Sequence, residues 1–85
     1  MMFGRPAAYA GRRMFACIVD AALVVKLPED WARRELRDRG RPFTRRGREM
    51  KQWVQYRPRT ARDLQRLASV LEVAARHAAH QLTQE

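Results

Sequence analysis

The sequence contains one cysteine, Cys17, one serine, Ser69, two histidines and four glycines among its 85 residues. A lone cysteine excludes an internal disulfide and fits a reducing compartment. The four glycines are scattered at Gly4, Gly11, Gly40 and Gly47, so no glycine-rich loop is present to cradle a phosphate. Long apolar runs are missing as well. Met14 to Val19 and Ala21 to Val25 are separated by Asp20, far short of the ~20 residues that a membrane span requires. No basic leader with an apolar stretch and a small-residue cleavage site opens the chain, so a cytoplasmic protein away from membranes is expected. Repeats and low-complexity linkers are also lacking.

Arginine is abundant instead. Eighteen basic residues, sixteen of them Arg, stand against nine acidic ones, for a formal net charge of +9. Residues 1–32 carry a net +1, residues 33–66 carry thirteen basic and four acidic side chains for a net +9, and residues 67–85 carry a net −1. A planar, bidentate guanidinium suits phosphate, and a coding bias toward Arg and Ala would raise the Arg count without concentrating it. An apolar share of 46% is that of a folded protein. A chain this short hides only about 60% of its unfolded surface, which leaves a marginal core.

Local signals give an α+β reading: about five antiparallel strands, a short helix after the third strand and a longer C-terminal helix packed on the sheet. Ala7 to Ala10, Met14 to Val19 and Leu23 to Leu27 read as a meander with turns at Gly11-Arg12 and Asp20-Ala21, closed by Pro28. Met14 to Val19 is too apolar for a strand with one wet face. Pro28-Glu29-Asp30 opens a helix in which Trp31 and Leu36 form an incomplete apolar stripe, and Gly40 followed by Pro42 ends it. Phe43 to Arg45 and Met50 to Tyr56 form a second hairpin around Arg46-Gly47-Arg48. Strict alternation places Met50, Val54 and Tyr56 on one face and Lys51, Trp53 and Arg57 on the other. Thr60 is the expected N-cap of the last helix, with Asp63 at the capping-box position. Leu64, Leu67, Leu71, Ala74 and Ala78 form its inner stripe, and Val70 and Val73 widen that stripe toward a second contact. Residues 1–82 are expected to form one domain, with 83–85 as a tail.

The residues also carry a resemblance. Met2-Phe3-Gly4, Tyr9 and Gly11 before Met14-Phe15-Ala16, then Leu27-Pro28-Glu29, Arg41-Pro42-Phe43, and Gly47-Arg48-Glu49-Met50-Lys51 before Trp53 follow one another in an order similar to the N-terminal domain of TfoX/Sxy proteins. The match covers roughly residues 1 to 80, and YjbR/MmcQ-like proteins are a neighbouring group with a similar fold. The resemblance implies an antiparallel sheet packed by helices and an association with transcription and competence regulation in bacteria; it implies no catalytic residues. Relatives usually have a helix before the Met-Phe-Gly segment and, in larger members, a C-terminal domain. Arg5 and Gln52 stand where those relatives often have glycine. A missing first helix would leave part of a sheet face bare for a partner or a second copy.

Catalytic chemistry finds little support in the sequence. Ser69 lies inside the last helix, where its hydroxyl bonds back to the preceding turn. Cys17 lies in an apolar strand and reads as a small hydrophobe. His77 and His80, three apart, form a solvent-facing pair without a third metal ligand. Asp20, Glu29 and Asp30 occupy a turn and a helix start, where acidic residues have structural roles. No enzyme activity, cofactor, metal or small-molecule substrate is therefore expected. The leading expectation is a small regulatory or protein-interaction module, with a protein partner or a homodimer. The alternative is a weak, sequence-tolerant nucleic-acid-binding domain using Arg41, Arg45, Arg46, Arg48, Lys51, Trp53 and Arg57, with phosphates on the arginines and a base on the indole. Arg33, Arg34, Arg37 and Arg39 add a basic helix surface that Glu35 and Asp38 dilute, while Phe3, Phe15, Trp31 and Phe43 read as core.

Overall fold

The computed structural model describes residues 7–84, with side chains described as far as Gln81. Its elements are β1 (Ala7–Ala10), β2 (Arg13–Val19), β3 (Ala22–Lys26), α1 (Glu29–Arg37), β4 (Arg41–Arg45), β5 (Arg48–Tyr56), α2 (Ala61–Gln65) and α3 (Ala68–Gln84). The strands form one antiparallel sheet in the order β1-β2-β3-β5-β4. The α+β arrangement expected from the sequence is thus the one observed. Residues Met1 to Pro6, including the Met-Phe-Gly segment and Phe3, lie outside the described residues.

Three two-residue turns build the hairpins. Gly11 at φ 61° starts the first, and Arg46 at φ 54° with Gly47 at φ 75° makes the third; consecutive positive φ values match the twist of the flanking strands. The second turn joins Val19 to Ala22 through Asp20 at φ 50° and Ala21 at φ 65°. Alanine there carries the steric cost that glycine avoids.

Directly paired residues share a face, so the register sorts the sheet into rows. Ala8, Ala16, Val25, Val54 and Pro42 form one row across all five strands, and Ala7, Cys17, Val24, Gln55 and Arg41 form the adjacent row on the opposite face. The first face packs on α1 and α3. Ala16, Val25, Leu27, Val54 and Tyr56 meet Ala32 of α1, and Leu67, Val70 and Ala74 at and beyond the start of α3. Trp31, Leu36 and Phe15 pack against this cluster partly buried. Gly40 sits where the chain turns from α1 into β4, its N–H bonding to the Glu35 carbonyl at 2.7 Å. A Cβ there would collide with Cγ1 of Val54.

Three departures from the sequence reading have local causes. The last helix is two helices. Thr60 caps the first, its Oγ1 accepting the Asp63 N–H at 3.1 Å. A tighter bond from the Leu67 N–H to the Leu64 carbonyl at 3.0 Å then resets the helical phase. Leu64 is accordingly 49% exposed, and the stripe against the sheet runs through Leu67, Val70, Ala74 and Ala78. Second, Val70 belongs to the core rather than to a second contact. Third, β5 does not alternate strictly. Gln52 takes φ 71°, and the β4–β5 register shifts between Pro42 and Thr44, the signature of a bulge that re-aims the residues before it. Gln52 is held there by Leu27: its carbonyl accepts the Leu27 N–H at 2.8 Å and its Nε2 donates to the Leu27 carbonyl at 3.1 Å.

α1 is tied down by a buried carboxylate. Glu35, 7% exposed, accepts the Tyr56 hydroxyl at 2.9 Å and the Arg39 Nε–H at 2.8 Å through the same Oε1. Arg39 also donates from Nη1 to the Arg66 carbonyl at 2.9 Å, linking α1 to the α2–α3 junction. Burial first, and the bond to Glu35 second, push the Tyr56 phenol well above its usual range.

Candidate functional site

The sheet face opposite α1 and α3 carries a groove. Val24 and Cys17 are buried there, in the floor of a groove of about 500 Å³ that none of the described helix residues lines. Trp53, Phe43, Met50 and Met14 stand around that floor. The bulge at Gln52 is what brings Met50 to the same side as Trp53, against simple alternation. Phe43 lines the groove, half-buried, and so is not a residue of the helix-side core.

Basic side chains form the rim. Arg45 and Arg46, at the tip of the β4–β5 hairpin, and Arg57, just beyond β5, line the groove together with Asp20 of the opposing turn. Arg57 donates to the Asp20 carbonyl at 3.3 Å, which ties the end of β5 to the neighbouring β2–β3 turn. Arg48 joins Arg45, Arg46 and Met50 in an adjoining depression of about 450 Å³. Gln55 in the groove wall donates from Nε2 to the Pro42 carbonyl at 2.8 Å.

Of the seven residues singled out from the sequence, the structure therefore brings Arg45, Arg46, Trp53 and Arg57 into one groove, with Arg48 beside it. Arg41 ends the groove-face row on the outer strand without lining the groove, and exposed Lys51 does not line it either. The residues that sequence reading missed are Phe43, Met50, Met14 and Val24. Their signal was the excess of apolar residues in β2 and β3, which called for cover on both faces.

Three of the four arginines on and just after α1 contact neighbours within the domain. Arg33 lies 3.5 Å from Glu29, Arg39 is bound to Glu35, and the Arg34 guanidinium stacks 4.7 Å over the Trp31 ring. Ser69 is exposed on α3. His77 and His80 do not form a matched solvent-facing pair: His80 is exposed, while His77 is half-buried with its Nε2 unpartnered. Among the described residues no three His, Cys, Asp or Glu side chains converge as metal ligands, and no helix is long and apolar enough to cross a membrane.

Fold and groove together define a small α+β domain in which, among the described residues, helices close one sheet face and a basic-rimmed cleft lies on the other. The chain belongs to the family described as a Luciferase domain, whose model matches residues 15–74. This corrects the resemblance to TfoX/Sxy and YjbR/MmcQ proteins, since neither family matches. The motif residues that suggested it answer to local geometry. Gly47 serves a positive-φ turn, Pro28 precedes the first turn of α1, and Gly11 opens a hairpin, needs that unrelated meanders share. No curated protein and no solved structure matches the chain.

Proposed function

We propose that this domain is a non-enzymatic binding module whose groove takes single-stranded nucleic acid with little sequence preference. The observation that carries the reading is the joining of aromatic walls (Trp53, Phe43) to an arginine rim (Arg45, Arg46, Arg57) in one groove. Bases stack on aromatic faces whatever their identity, and guanidinium groups hold the phosphates between them. A cleft of about 500 Å³ has room for one or two unstacked bases but not for a duplex, so single strands should bind in preference. The lining offers one buried thiol, Cys17, and one turn carboxylate, Asp20, which supports holding a ligand rather than transforming it.

The test is fluorescence anisotropy with a labelled oligo-dT of about ten nucleotides and a duplex of equal length. Changing Arg45, Arg46 and Arg57 together to Gln removes about 1 kcal/mol per exposed phosphate contact, so the oligo-dT affinity should fall roughly 100-fold. Equal affinities for the triple variant and the parent protein would remove the groove from consideration.

A second reading, a protein-interaction module that docks a partner or a second copy, rests on the exposed apolar side chains Tyr9 (46%), Ile18 (43%) and Leu64 (49%). It predicts association insensitive to salt. The family's description as a Luciferase domain names an activity, and for this chain that activity is a third, competing proposal. The groove would then hold a small apolar substrate and would not retain an oligonucleotide.

A further inference from the structure

β5 sets a hydrogen-bonding side chain beside the aromatic wall of the groove. Past the bulge at Gln52, Trp53 and Gln55 both line it, and residues two apart on a strand stand about 6.5–7 Å from one another. Gln55 pairs with Val24, a buried residue of the floor, on one side and with Arg41 on the other. Its Nε2 donates to the Pro42 carbonyl at 2.8 Å, at the register shift of β4 next to Phe43. A carbonyl only accepts, so this bond fixes which end of the amide carries the nitrogen. The Oε1 and the second Nε2 hydrogen enter no hydrogen bond with the described residues. The groove therefore holds an oriented acceptor and donor beside the indole.

We propose that Gln55 is the base-edge contact of the groove: a base stacked on Trp53 turns its Watson–Crick edge to the Gln55 amide, giving a hydrogen to Oε1 and accepting one from Nε2. This rests on the single-strand reading above and adds what the ligand must offer. The edge of every standard base carries a donor beside an acceptor. Adenine and cytosine present an exocyclic amino group next to a ring nitrogen, and thymine and guanine present a ring N–H next to a carbonyl. A single-stranded base can stack on either of its faces, so one fixed amide meets each of them in the matching order. Gln55 thus requires an unpaired base without choosing among them, which fits a groove of little sequence preference. In a duplex the same edge is committed to the opposite strand.

The experiment uses the full chain and two labelled probes followed by fluorescence anisotropy: oligo-dT of about ten nucleotides, and the same oligomer with a methyl group on N3 of every thymine. Methylation removes the edge donor and keeps the ring, the charge and the chain length. The parent protein should bind the methylated oligomer about tenfold more weakly, with the same salt slope for both probes, since the phosphates are unchanged. Gln55→Leu should bind oligo-dT about tenfold more weakly and should no longer distinguish the two probes. Thermal unfolding establishes that the variant is folded. Equal binding of both probes by the parent protein, or discrimination retained in Gln55→Leu, would overturn the Gln55 contact and leave the single-strand reading standing. No binding of either probe by the parent protein would overturn both.

Discussion

Glu35→Ala tests how α1 is fastened to the sheet. The carboxylate is almost fully buried, and its Oε1 holds both the Tyr56 hydroxyl at 2.9 Å and the Arg39 Nε at 2.8 Å. Truncation leaves the hydroxyl of Tyr56, itself buried, without its charged acceptor, a loss of about 1.5–3 kcal/mol. The Arg39 side chain is 36% exposed, so solvent screening limits its share to under ~1 kcal/mol. The expected cost is about 2–3 kcal/mol, which for a domain of this size lowers Tm by roughly 10–20 °C. Urea denaturation and a thermal scan followed by circular dichroism measure both quantities. Tyr56→Phe alone should cost about 1 kcal/mol, and the double variant should cost less than the sum of the singles, because the orphaned hydroxyl is gone. The pH dependence has a definite sign. A phenol whose folded pKa is raised contributes stability that is fully present below its ordinary value of 10.0 and is lost as pH rises above it. Tyr56→Phe should flatten that alkaline limb. A Glu35→Ala loss below ~0.5 kcal/mol, or strictly additive singles, would refute the role given to this network.

Two further predictions concern the backbone. Ala21→Gly should stabilise the protein by about 1 kcal/mol, since Ala21 sits at φ 65° in a turn that favours glycine; urea midpoints measure the gain. Gly40→Ala should destabilise by about 1–3 kcal/mol, because the new methyl collides with Val54 in the core, and the same denaturation series reads the loss.

The fold was legible wherever turn chemistry and chain direction coincide. Pro28, Gly11, Gly47 and Thr60 punctuate the elements, and strands too short and too close for parallel crossovers leave an antiparallel meander as the simple solution. What escaped sequence reading depends on geometry that no local pattern encodes. The positive φ of Gln52 inverts the faces of β5 before it, so alternation counted from Tyr56 puts Met50 on the wrong side. The shortened turn at Leu67 rotates the helix and exposes Leu64, although both leucines fit one periodic stripe. The Glu35–Tyr56 bond joins residues 21 positions apart, and Glu35 in the sequence looked like one more charge diluting a basic helix. The site was legible in part. The arginine cluster and Trp53 stood out, but the groove they rim is assembled across strands, with Met14 and Val24 of β2 and β3 beside Phe43 and Met50 of β4 and β5, a juxtaposition that no local pattern encodes.

The most direct measurement of the groove's role is a salt-dependent titration of a Trp31→Phe variant with oligo-dT, in which Trp53, the remaining tryptophan, reports through its fluorescence. Trp53 lines the groove, while Trp31 packs on the helix side. Stacking of a base should quench the Trp53 emission. The binding constant should fall with a log–log salt slope of about −0.7 for each phosphate neutralised on a single strand, near −2 to −3 for Arg45, Arg46, Arg48 and Arg57 acting together. Quenching with that slope is expected if bases stack on Trp53 while the arginines hold the phosphates. Unchanged Trp53 emission at saturating oligo-dT, or binding without salt dependence, would contradict that binding mode.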